Sequence, residues 1–401
     1  MKILVLTDAF LPDHTGGISK SLLPEVEAFV SLGNKVTVIT RSSKPDQPKY
    51  EVRKNYELYR YFSPHKKSFF YKTYPIFSLL ELPYLISSLH RQKQFDVAYV
   101  HNPFQANALR KVLPKLPCLY VYHASTYSEI KIDNLKGKYG IFKPIVSIVN
   151  KWIKSLEGKV LNNADQIIVR SQFMMEDMNN LYENINSEKI AVLPLCVDTE
   201  RFCCVDNNIE ARQRLGLPED KYILLTVRRL VARMGIENLI SAMPSVIEKF
   251  PNILLLIGGT GYLEENLWQM IQQYKLEKNV KLLGFLPEEK LPTYYQAANL
   301  FVLPTLAYEG FGLVTIESLA CGTPVLATPV GASPELLKPL GKDLLFKDST
   351  PKAISEGIIL CLTEGLNQYT RTKCSNYCLD NYSKIQIGRL LESILTKLIT
   401  Y

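Results

Sequence analysis

The fold is decided by a stretch near the C-terminal end, which reads Glu309-Gly310-Phe311-Gly312-Leu313-Val314-Thr315-Ile316-Glu317. Its two carboxylates are separated by seven residues across a Gly-Phe-Gly turn that opens a predicted helix. Gly310 and Gly312 let the backbone approach a ligand closely, and the start of the helix offers free N–H groups to a diphosphate. Glu309 then lies in the loop before the helix and Glu317 deeper, inside it. The alternative interpretation is an ordinary turn and helix with two solvated glutamates.

The composition is that of a globular protein, with 47% hydrophobic and 21% charged residues among 401, and this length suggests two domains. No apolar run approaches the ~20 residues that span a bilayer. The first strand-like run, residues 2–7, is too short for the core of a signal peptide. We therefore expect a cytoplasmic protein. The eight cysteines form no Cys-x-x-Cys pattern, so we expect buried or idle thiols and no metal site.

Short apolar runs alternate with amphipathic stretches, a pattern typical of βαβ units and a parallel sheet. Strand-like runs occur at residues 2–7, 35–40, 96–100, 118–122 and 165–170, and again at 222–227, 253–257, 280–283, 299–303 and 324–327. Helix-like stretches are 18–32, 235–249, 262–274, 288–297 and 312–321. Two series of five strands, each with its own core, predict an α/β protein with two Rossmann-like domains.

The Glu-x7-Glu stretch resembles the signature of the retaining nucleotide-sugar glycosyltransferases of family 4, which have the GT-B fold. The resemblance covers nearly the whole chain. It implies two Rossmann-like parallel-sheet domains that face a cleft, with residues 1–194 binding the acceptor and residues 195–383 binding the nucleotide sugar. It also implies that an apolar-periodic helix within residues 384–401 crosses back to the first domain.

The resemblance assigns roles within the stretch itself. Glu309 would hold the donor sugar and Glu317 the ribose of the nucleotide. The remaining contacts to the donor would come from Gly310, Phe311, Gly312 and Leu313.

A basic element follows the first strand of the second domain and reads Thr226-Val227-Arg228-Arg229-Leu230-Val231-Ala232-Arg233-Met234-Gly235. It resembles the family's Gly-Arg-Leu-x-x-x-Lys-Gly element, whose Arg and Lys grip the diphosphate. Arg229 matches the Arg, but Met234 stands at the Lys position. We expect the neighbouring Arg233 to substitute, because arginine is a good phosphate ligand. A solvated basic turn is the alternative for Arg233.

Two further loops match the family more loosely. The run Gly258-Gly259-Thr260-Gly261 stands where the family has a Gly-x-Gly that packs beside the nucleotide. Leu286, after Gly284 and Phe285, lies in the element whose backbone contacts the base. Each pattern also fits an ordinary turn into a helix.

The first domain contributes a glycine pair and a histidine. Gly16 and Gly17 follow the first strand and match the family's Pro-x-x-Gly-Gly loop, which faces the diphosphate and the acceptor; a tight turn would need glycine too. His123 follows strand 118–122, where the family has a histidine beside the donor sugar, although a lone histidine is more often structural. His101 ends strand 96–100 and is a weaker candidate on the acceptor side.

The net charge of +8 is concentrated. Residues 44–93 hold ten Lys and Arg against four Asp and Glu, interleaved with tyrosine and phenylalanine, and residues 131–159 hold seven Lys. Such stretches suit an anionic membrane surface, a nucleic acid or an acidic acceptor, or are simply solvated.

A helical stripe follows Gly140-Ile141-Phe142 and is compatible with peripheral binding to the inner face of the membrane; it consists of Ile145, Ile148, Val149, Trp152, Ile153 and Leu156. Packing of this stripe on the domain's own sheet is the alternative. We expect no nucleic-acid partner.

The resemblance therefore predicts retaining transfer of a sugar from a nucleotide sugar to the hydroxyl of a glycan or lipid-linked acceptor, in cell-surface polysaccharide or glycolipid synthesis. UDP is favoured only by its frequency in the family. We expect no metal ion, since no Asp-x-Asp occurs at a strand end, and no cofactor, since the nucleotide sugar is a substrate. A nucleotide-sugar epimerase of the same fold, or a catalytically silent scaffold subunit that has lost the Lys at Met234, are the alternatives.

Overall fold

The computed structural model describes residues 1–14, 16–42, 44, 46–64, 74–135 and 143–400. The chain divides into two units, one of residues 1–194 with 384–401 and one of residues 195–383. The C-terminal segment therefore belongs to the first unit, although the whole second unit precedes it in the sequence. Each unit has its own sheet and its own apolar core.

The sheet of the first unit has eight strands within the described ranges, in the order β3-β4-β2-β1-β5-β6-β7-β8. Neighbouring strands are parallel except β3 and β4, which are antiparallel. The strands are β1 (Lys2–Leu6), β2 (Lys35–Arg41), β3 (Tyr50–Arg53), β4 (Tyr56–Tyr61), β5 (Val97–Val100), β6 (Cys118–Tyr122), β7 (Gln166–Val169) and β8 (Ile190–Val192).

Five of these strands lie where the sequence predicts them, and β3, β4 and β8 are additional. β3 and β4 form one edge of the sheet, and their tyrosines alternate with charged residues instead of forming an apolar run. This alternation makes them resemble a basic, aromatic surface in the sequence. Residues 65–73 of the predicted basic and aromatic stretch 44–93 lie outside the described residues.

The helices of the first unit pack against this sheet and against one another. They are α1 (Gly17–Ser31), α2 (Tyr74–Lys93), α3 (Pro103–Val112), α4 (Thr126–Leu135), α5 (Lys143–Asn163), α6 (Gln172–Leu181) and the last helix, α15 (Lys384–Thr400). α15 packs on α1 so closely that a Cβ on Gly388 would lie 2.5 Å from the Cβ of Ala28. Asn34 also donates to Glu392 at 2.6 Å. The predicted return of the C-terminal helix to the first domain is confirmed.

The second unit has a five-stranded parallel sheet in the order β11-β10-β9-β12-β13. Its strands are β9 (Tyr222–Val227), β10 (Ile253–Gly258), β11 (Val280–Gly284), β12 (Leu300–Leu303) and β13 (Val325–Ala327). Its helices are α7 (Ile209–Leu215), α8 (Ile236–Lys249), α9 (Glu264–Gln273), α10 (Leu291–Ala297), α11 (Leu313–Ala320), α12 (Ser333–Leu337), α13 (Pro351–Leu360) and α14 (Arg371–Tyr382). All five predicted strands are present, and the predicted fold class is confirmed.

The strand order of the second sheet places a ligand-binding crevice by topology alone. The chain runs from β9 outward to β10 and β11, and then returns to the other side of β9 for β12 and β13. In open parallel sheets, ligands bind beyond the carboxyl ends of the strands where the order reverses in this way. That point lies between β9 and β12, and the loops that follow these two strands carry the predicted basic element and Glu309.

Candidate active site

The loops after β9 and β10 continue the pairing of these strands beyond the sheet. Arg228 donates its backbone N–H to the carbonyl of Gly258 at 2.9 Å, and Leu230 donates to Thr260 at 2.9 Å. Gly259 has φ +130°, and a Cβ there would lie 1.7 Å from the carbonyl oxygen of Arg228. Glycine at this position is therefore required by the packing of the two loops against each other.

Two of the predicted donor contacts in these loops touch each other. A Cβ on Gly258 would lie 2.5 Å from Cδ1 of Leu286, which is itself buried. The neighbouring Phe285 is 70% exposed and lies clear of the core. The structure thus brings Gly258 and Leu286 together at the ends of β10 and β11.

Glu309 is held rigidly in the loop between β12 and α11. Its carboxylate is buried and accepts a hydrogen bond from Thr305 Oγ1 at 3.0 Å and one from Arg228 Nη2 at 2.5 Å, both through Oε2. Its carbonyl accepts from the N–H of Ala332 at 2.9 Å, and a Cβ on Gly331 would lie 2.1 Å from that carbonyl oxygen. The alternative of a solvated glutamate therefore fails for Glu309.

The start of α11 is open to an anion. Gly312 precedes the helix with φ +89°, and no side chain in the described part of the chain caps it. The first N–H groups of a helix have no partner within the helix, and they carry the positive end of its dipole. A Cβ on Gly312 would lie 3.7 Å from Glu309 Oε1, so the carboxylate and the helix start are neighbours. Phe311 is buried beneath this turn.

Glu317 lies inside α11 and is also buried. Its Oε2 accepts a hydrogen bond from the hydroxyl of Tyr295 on α10 at 2.8 Å. Both carboxylates of the Glu-x7-Glu stretch are therefore held by neighbouring elements of the second unit, and neither is a solvated surface group.

The basic element places its arginines in three different environments. Arg229 is exposed, and Arg233 donates from Nη1 to the carbonyl of Tyr308 at 3.1 Å. Arg228 is almost fully buried, with 7% of its side chain exposed beside Glu309. Its Nη2 also lies 2.8 Å from Sδ of the buried Met234. The sequence analysis gives Arg228 no role, although it stands at the position of the first glycine in the family's element.

In the first unit, the predicted glycine loop is anchored by a buried ion pair. Asp13 accepts from Arg60 Nε on β4 at 2.5 Å and from its Nη2 at 3.2 Å, and both side chains are at most 3% exposed. Gly16 and Gly17 are exposed, and neither adopts a left-handed conformation, since Gly16 is extended with φ 174°. No described atom lies closer than 4.0 Å to a Cβ built on either. The tight-turn alternative therefore does not explain these glycines. Thr15 lies outside the described residues.

His123 and His101, which the sequence treats as separate candidates, form a pair. Nε2 of His123 lies 2.9 Å from Nδ1 of His101, with the two rings stacked. Burial, and then the nearby guanidinium of Arg170, lower the pKa of His123 to about 3. Burial, His123 and Arg170 likewise hold the pKa of His101 well below its ordinary value. Both imidazoles are therefore neutral near pH 7.

The pairing also selects a tautomer. Nε2 of His101 is buried and has no hydrogen-bond partner among the residues that the structure describes. Buried N–H groups without a partner are rarer than unused acceptors, so His101 carries its proton on Nδ1 and donates to His123. His123 then carries its own proton on Nδ1, and that nitrogen is a hydrogen-bond donor.

Glu157 on α5, for which the sequence predicts no role, fixes the segment that follows His123. It is buried and accepts from Ser125 Oγ at 3.1 Å and from the backbone N–H of Thr126 at 2.7 Å, at the start of α4. Tyr182 donates its hydroxyl to the same carboxylate. Because 31 residues separate Glu157 from Thr126, no local pattern in the sequence could indicate this contact.

Metal and membrane signatures were sought among the described residues. They contain no group of three or more His, Cys, Asp or Glu side chains arranged to hold a metal ion. None of the helices within these ranges is both long enough and apolar enough to cross a membrane.

The chain matches known proteins over most of its length. The profile of Glycosyltransferase Family 4 matches residues 15–201, and that of Glycosyl transferases group 1 matches residues 207–378. MJ1607, an uncharacterized glycosyltransferase of Methanocaldococcus jannaschii, is 27% identical over 398 residues, which cover 97% of this chain and 96% of the relative. The GPI3 subunit of phosphatidylinositol N-acetylglucosaminyltransferase from Saccharomyces cerevisiae is 25% identical over 336 residues, which cover 84% of this chain and 69% of the relative.

The fold has solved counterparts as well. The structure of Anabaena Alr3699/HepE in complex with UDP and glucose superimposes with a TM-score of 0.73 at 19% identity, over 99% of this chain and 100% of that one. Two consecutive family profiles, full-length relatives and the two parallel-sheet domains agree with one another. The chain belongs to family 4 of the glycosyltransferases and has the GT-B fold.

Proposed function

We propose that this glycosyltransferase moves a sugar from a nucleotide sugar, with UDP as the nucleotide, to an acceptor hydroxyl, with retention of configuration and without a metal ion. The observation that supports this most is the buried carboxylate of Glu309 beside the uncapped start of α11. In the proposed donor, the sugar and the diphosphate are adjacent. The carboxylate that binds the sugar and the helix start that binds the diphosphate must therefore be neighbours. The complex of the similarly folded HepE with UDP and glucose supports the choice of nucleotide.

In the proposed reaction, the acceptor oxygen bonds to the anomeric carbon on the face from which the diphosphate departs. The bond between the anomeric carbon and the diphosphate oxygen breaks, and a phosphate oxygen of the donor takes the proton of the acceptor. The dipole of α11 and the exposed Arg229 stabilise the charge that builds on the diphosphate.

Each carboxylate has a separate task in this scheme. Oε2 of Glu309 is taken by Thr305 and Arg228, which leaves Oε1 to accept from a sugar hydroxyl. Glu317 holds the ribose, and His123 donates from Nδ1 to the sugar. Gly16, Gly17 and His123 belong to the first unit, and the other predicted site residues to the second.

The experiment that tests the donor is a thermal-shift screen with UDP, GDP and ADP, followed by their sugars. A ligand at 100 times its dissociation constant stabilises a protein by about 2.7 kcal/mol, and we expect UDP to give the largest shift. The sugar nucleotide that binds is then incubated with the enzyme in EDTA, and hydrolysis or transfer is expected to persist. Activity that returns only with Mg²⁺ or Mn²⁺ would contradict the metal-free mechanism.

The same assays separate the alternatives. An epimerase would convert the nucleotide sugar to its epimer without any acceptor, whereas a transferase releases the nucleoside diphosphate. A silent scaffold would show neither a thermal shift nor turnover with any of the three nucleotides.

We further propose that the acceptor is lipid-linked and that the first unit binds the anionic inner face of the membrane. Ile145, Ile148, Val149 and Trp152 on α5 are between 48% and 71% exposed. Lys151 and Lys154 on the same helix are exposed as well. Only the later part of the stripe, Ile153 and Leu156, is buried. Packing on the domain's own sheet would therefore explain only two of the six residues of the stripe.

The yeast relative supports this acceptor class, because the name of that enzyme contains phosphatidylinositol. Residues 136–142, which include Gly140, Ile141 and Phe142 before α5, lie outside the described residues. The proposal therefore rests on α5 itself, where exposed apolar side chains and lysines occur together. An amphipathic helix of this kind binds a bilayer through both groups.

Sedimentation with vesicles tests the membrane proposal. We expect binding to vesicles that contain phosphatidylglycerol, weaker binding at high salt, and little binding to phosphatidylcholine alone, because each lysine near an anionic surface contributes about 1 kcal/mol. The double variant Ile148→Ser, Trp152→Ser is expected to stay in the supernatant. Val192→Ser, which removes an exposed apolar side chain on β8, is the control. If both variants sediment like the unmodified protein, α5 is not the membrane-binding element.

A further inference from the structure

Two departures from the family's basic element touch each other in the structure. In the element Gly-Arg-Leu-x-x-x-Lys-Gly, the first glycine corresponds to Arg228 and the lysine to Met234. The chain therefore gains a cation at one position and loses one at the other. Nη2 of Arg228 lies 2.8 Å and Nε lies 3.3 Å from Sδ of Met234.

The guanidinium of Arg228 lies at the predicted donor-binding site. It reaches from the end of β9 to Glu309, where Nη2 is 2.5 Å from Oε2. Nη1 makes no hydrogen bond within the described part of the chain. A guanidinium has five N–H donors in a planar fork, so donors remain for a phosphate while Nη2 stays on Glu309.

Arg233 is engaged elsewhere. Its Nη1 donates to the carbonyl of Tyr308, and its own carbonyl accepts from the N–H of Leu306 at 2.9 Å. Both contacts are to the loop that carries Glu309. Tyr308 has φ +58°, a conformation that a non-glycine residue adopts only when its surroundings hold it. Arg233 therefore braces this loop.

We propose that Arg228 supplies the diphosphate-binding cation that the missing lysine would supply, and that Met234 is the apolar floor that makes room for its guanidinium. This inference rests on the proposed function and names a residue of the same site. Because one arginine contacts Glu309 and is offered to the diphosphate, it links the carboxylate assigned to the sugar with the phosphates assigned to the leaving group. Arg233 then has a positioning role.

The proposal makes positions 228 and 234 interdependent. A lysine at 234 would bring its ammonium group against the guanidinium of Arg228, and two like charges in a desolvated place repel each other. Without Arg228, the same lysine would find an unpaired Glu309 and an open phosphate site. One cation at either of the two positions is therefore useful, whereas cations at both positions together repel each other.

A four-protein cycle tests this interdependence by titration calorimetry with UDP, or with whichever of GDP and ADP the unmodified protein binds. We expect Arg228→Gly to weaken binding about tenfold to a hundredfold, as for the loss of a charged hydrogen bond. Met234→Lys alone is expected to gain nothing, and Arg228→Gly with Met234→Lys to recover affinity to within a few-fold of the unmodified protein. Arg233→Ala, which acts only through the loop that carries Glu309, is expected to lose less affinity than Arg228→Gly. Arg214→Ala, which removes an exposed arginine paired with Glu210 on α7, is the matched control and should bind normally.

Arg228→Gln covers the case in which the glycine variant does not fold, since glutamine keeps a donor toward Glu309 but removes the charge. It is expected to bind UDP as weakly as the glycine variant. If the glycine or glutamine variant binds like the unmodified protein, or if Arg233→Ala loses more affinity than Arg228→Gly, the assignment to Arg228 is wrong. Additive effects without recovery in the double variant would overturn it too. If the unmodified protein binds none of the three nucleotides, the proposed function fails and this inference fails with it.

Discussion

An arginine and a glutamate are paired in the interior of each unit, and the two pairs differ in their surroundings. Arg170 and Glu25 in the first unit are 2% and 0% exposed, and the guanidinium also donates to the hydroxyl of Tyr99 at 3.1 Å. Arg228 and Glu309 in the second unit are 7% and 9% exposed and lie at the end of a strand beside an uncapped helix. The same chemistry therefore supports a core in one place and lies at a predicted ligand site in the other.

The comparison shows how a structural pair can be told from a binding pair. Glu25 lies within the fold, where burial raises the pKa of its carboxyl and Arg170 acts against that rise. Both arginines directly follow a parallel strand, since Arg170 follows β7 and Arg228 follows β9. The difference is the neighbouring helix start: Ser171 caps α6 beside Arg170, whereas no described side chain caps α11 beside Glu309. The uncapped helix start marks the second pair as a candidate site, and burial alone is not the criterion.

The largest expected effect is on stability, at the first pair. Arg170→Met leaves Glu25 buried without its countercharge, which costs about 3–5 kcal/mol of unfolding free energy. Arg214→Met, which breaks the exposed pair with Glu210 on α7, should cost at most about 1 kcal/mol. Urea unfolding measures both. Equal effects of the two variants would mean that the buried pair is not a structural one.

The second prediction concerns catalysis at the other pair. Glu309→Gln keeps the shape of the side chain and its contact with Arg228 but removes the charge, and we expect turnover to fall about a hundredfold to a thousandfold. The dissociation constant for UDP should stay within a few-fold, because Glu309 faces the sugar. Glu264→Gln, at the exposed start of α9, is the control and should be fully active. A variant that loses nucleotide affinity but not turnover would reverse the assignment.

The third prediction concerns the deeper carboxylate. Glu317→Ala removes charged hydrogen bonds to the ribose, so UDP affinity should fall by about 1.5–3 kcal/mol. Tyr295→Phe removes only the hydroxyl that donates to Glu317 and should have a clearly smaller effect on affinity. Calorimetry measures both variants. A change in melting temperature with unaltered affinity would make Glu317 a core residue.

The smallest expected effect is the pH dependence of the histidine pair. The pKa of His123 is lowered from 6.5 to about 3, so the unfolded chain takes up a proton below pH 6.5 that the folded protein does not. The contribution of His123 to the free energy of unfolding is therefore fully present above pH 6.5 and is lost as the pH falls toward 3. Between pH 7 and pH 5 this loss amounts to about 2 kcal/mol.

His123→Gln tests the sign of that dependence, because it keeps a polar side chain next to His101 but cannot be protonated. The unfolding free energy of this variant should fall less between pH 7 and pH 5 than that of the unmodified protein. An identical pH profile for this variant and the unmodified protein would mean that His123 is not buried as a neutral group.

The sequence predicts most reliably what depends on neighbours along the chain. The strands of the second unit are aliphatic runs, such as Ile253–Gly258, and all five lie where they are expected. The Glu-x7-Glu stretch is equally local, because one loop and one helix place both carboxylates. β3 and β4 escape prediction because this antiparallel pair, with β3 at the edge of the sheet, needs only one buried face and can alternate tyrosine with charged residues.

What the sequence does not predict depends on contacts between distant residues. Arg228 meets Glu309 across 81 positions, and Arg60 meets Asp13 across 47. No local pattern distinguishes such an arginine from its solvated neighbours. The division of the α5 stripe into an exposed and a buried part is likewise set by the helices and strands packed against α5.

The return of α15 to the first unit has a consequence for synthesis. During translation, every residue of the second unit leaves the ribosome before the helix that packs against Ala28 and Asn34. The second unit can complete its fold while the first still lacks one of its layers. The nascent first unit thus carries an uncovered surface on α1 until α15 emerges. A chaperone would recognise this surface during that interval.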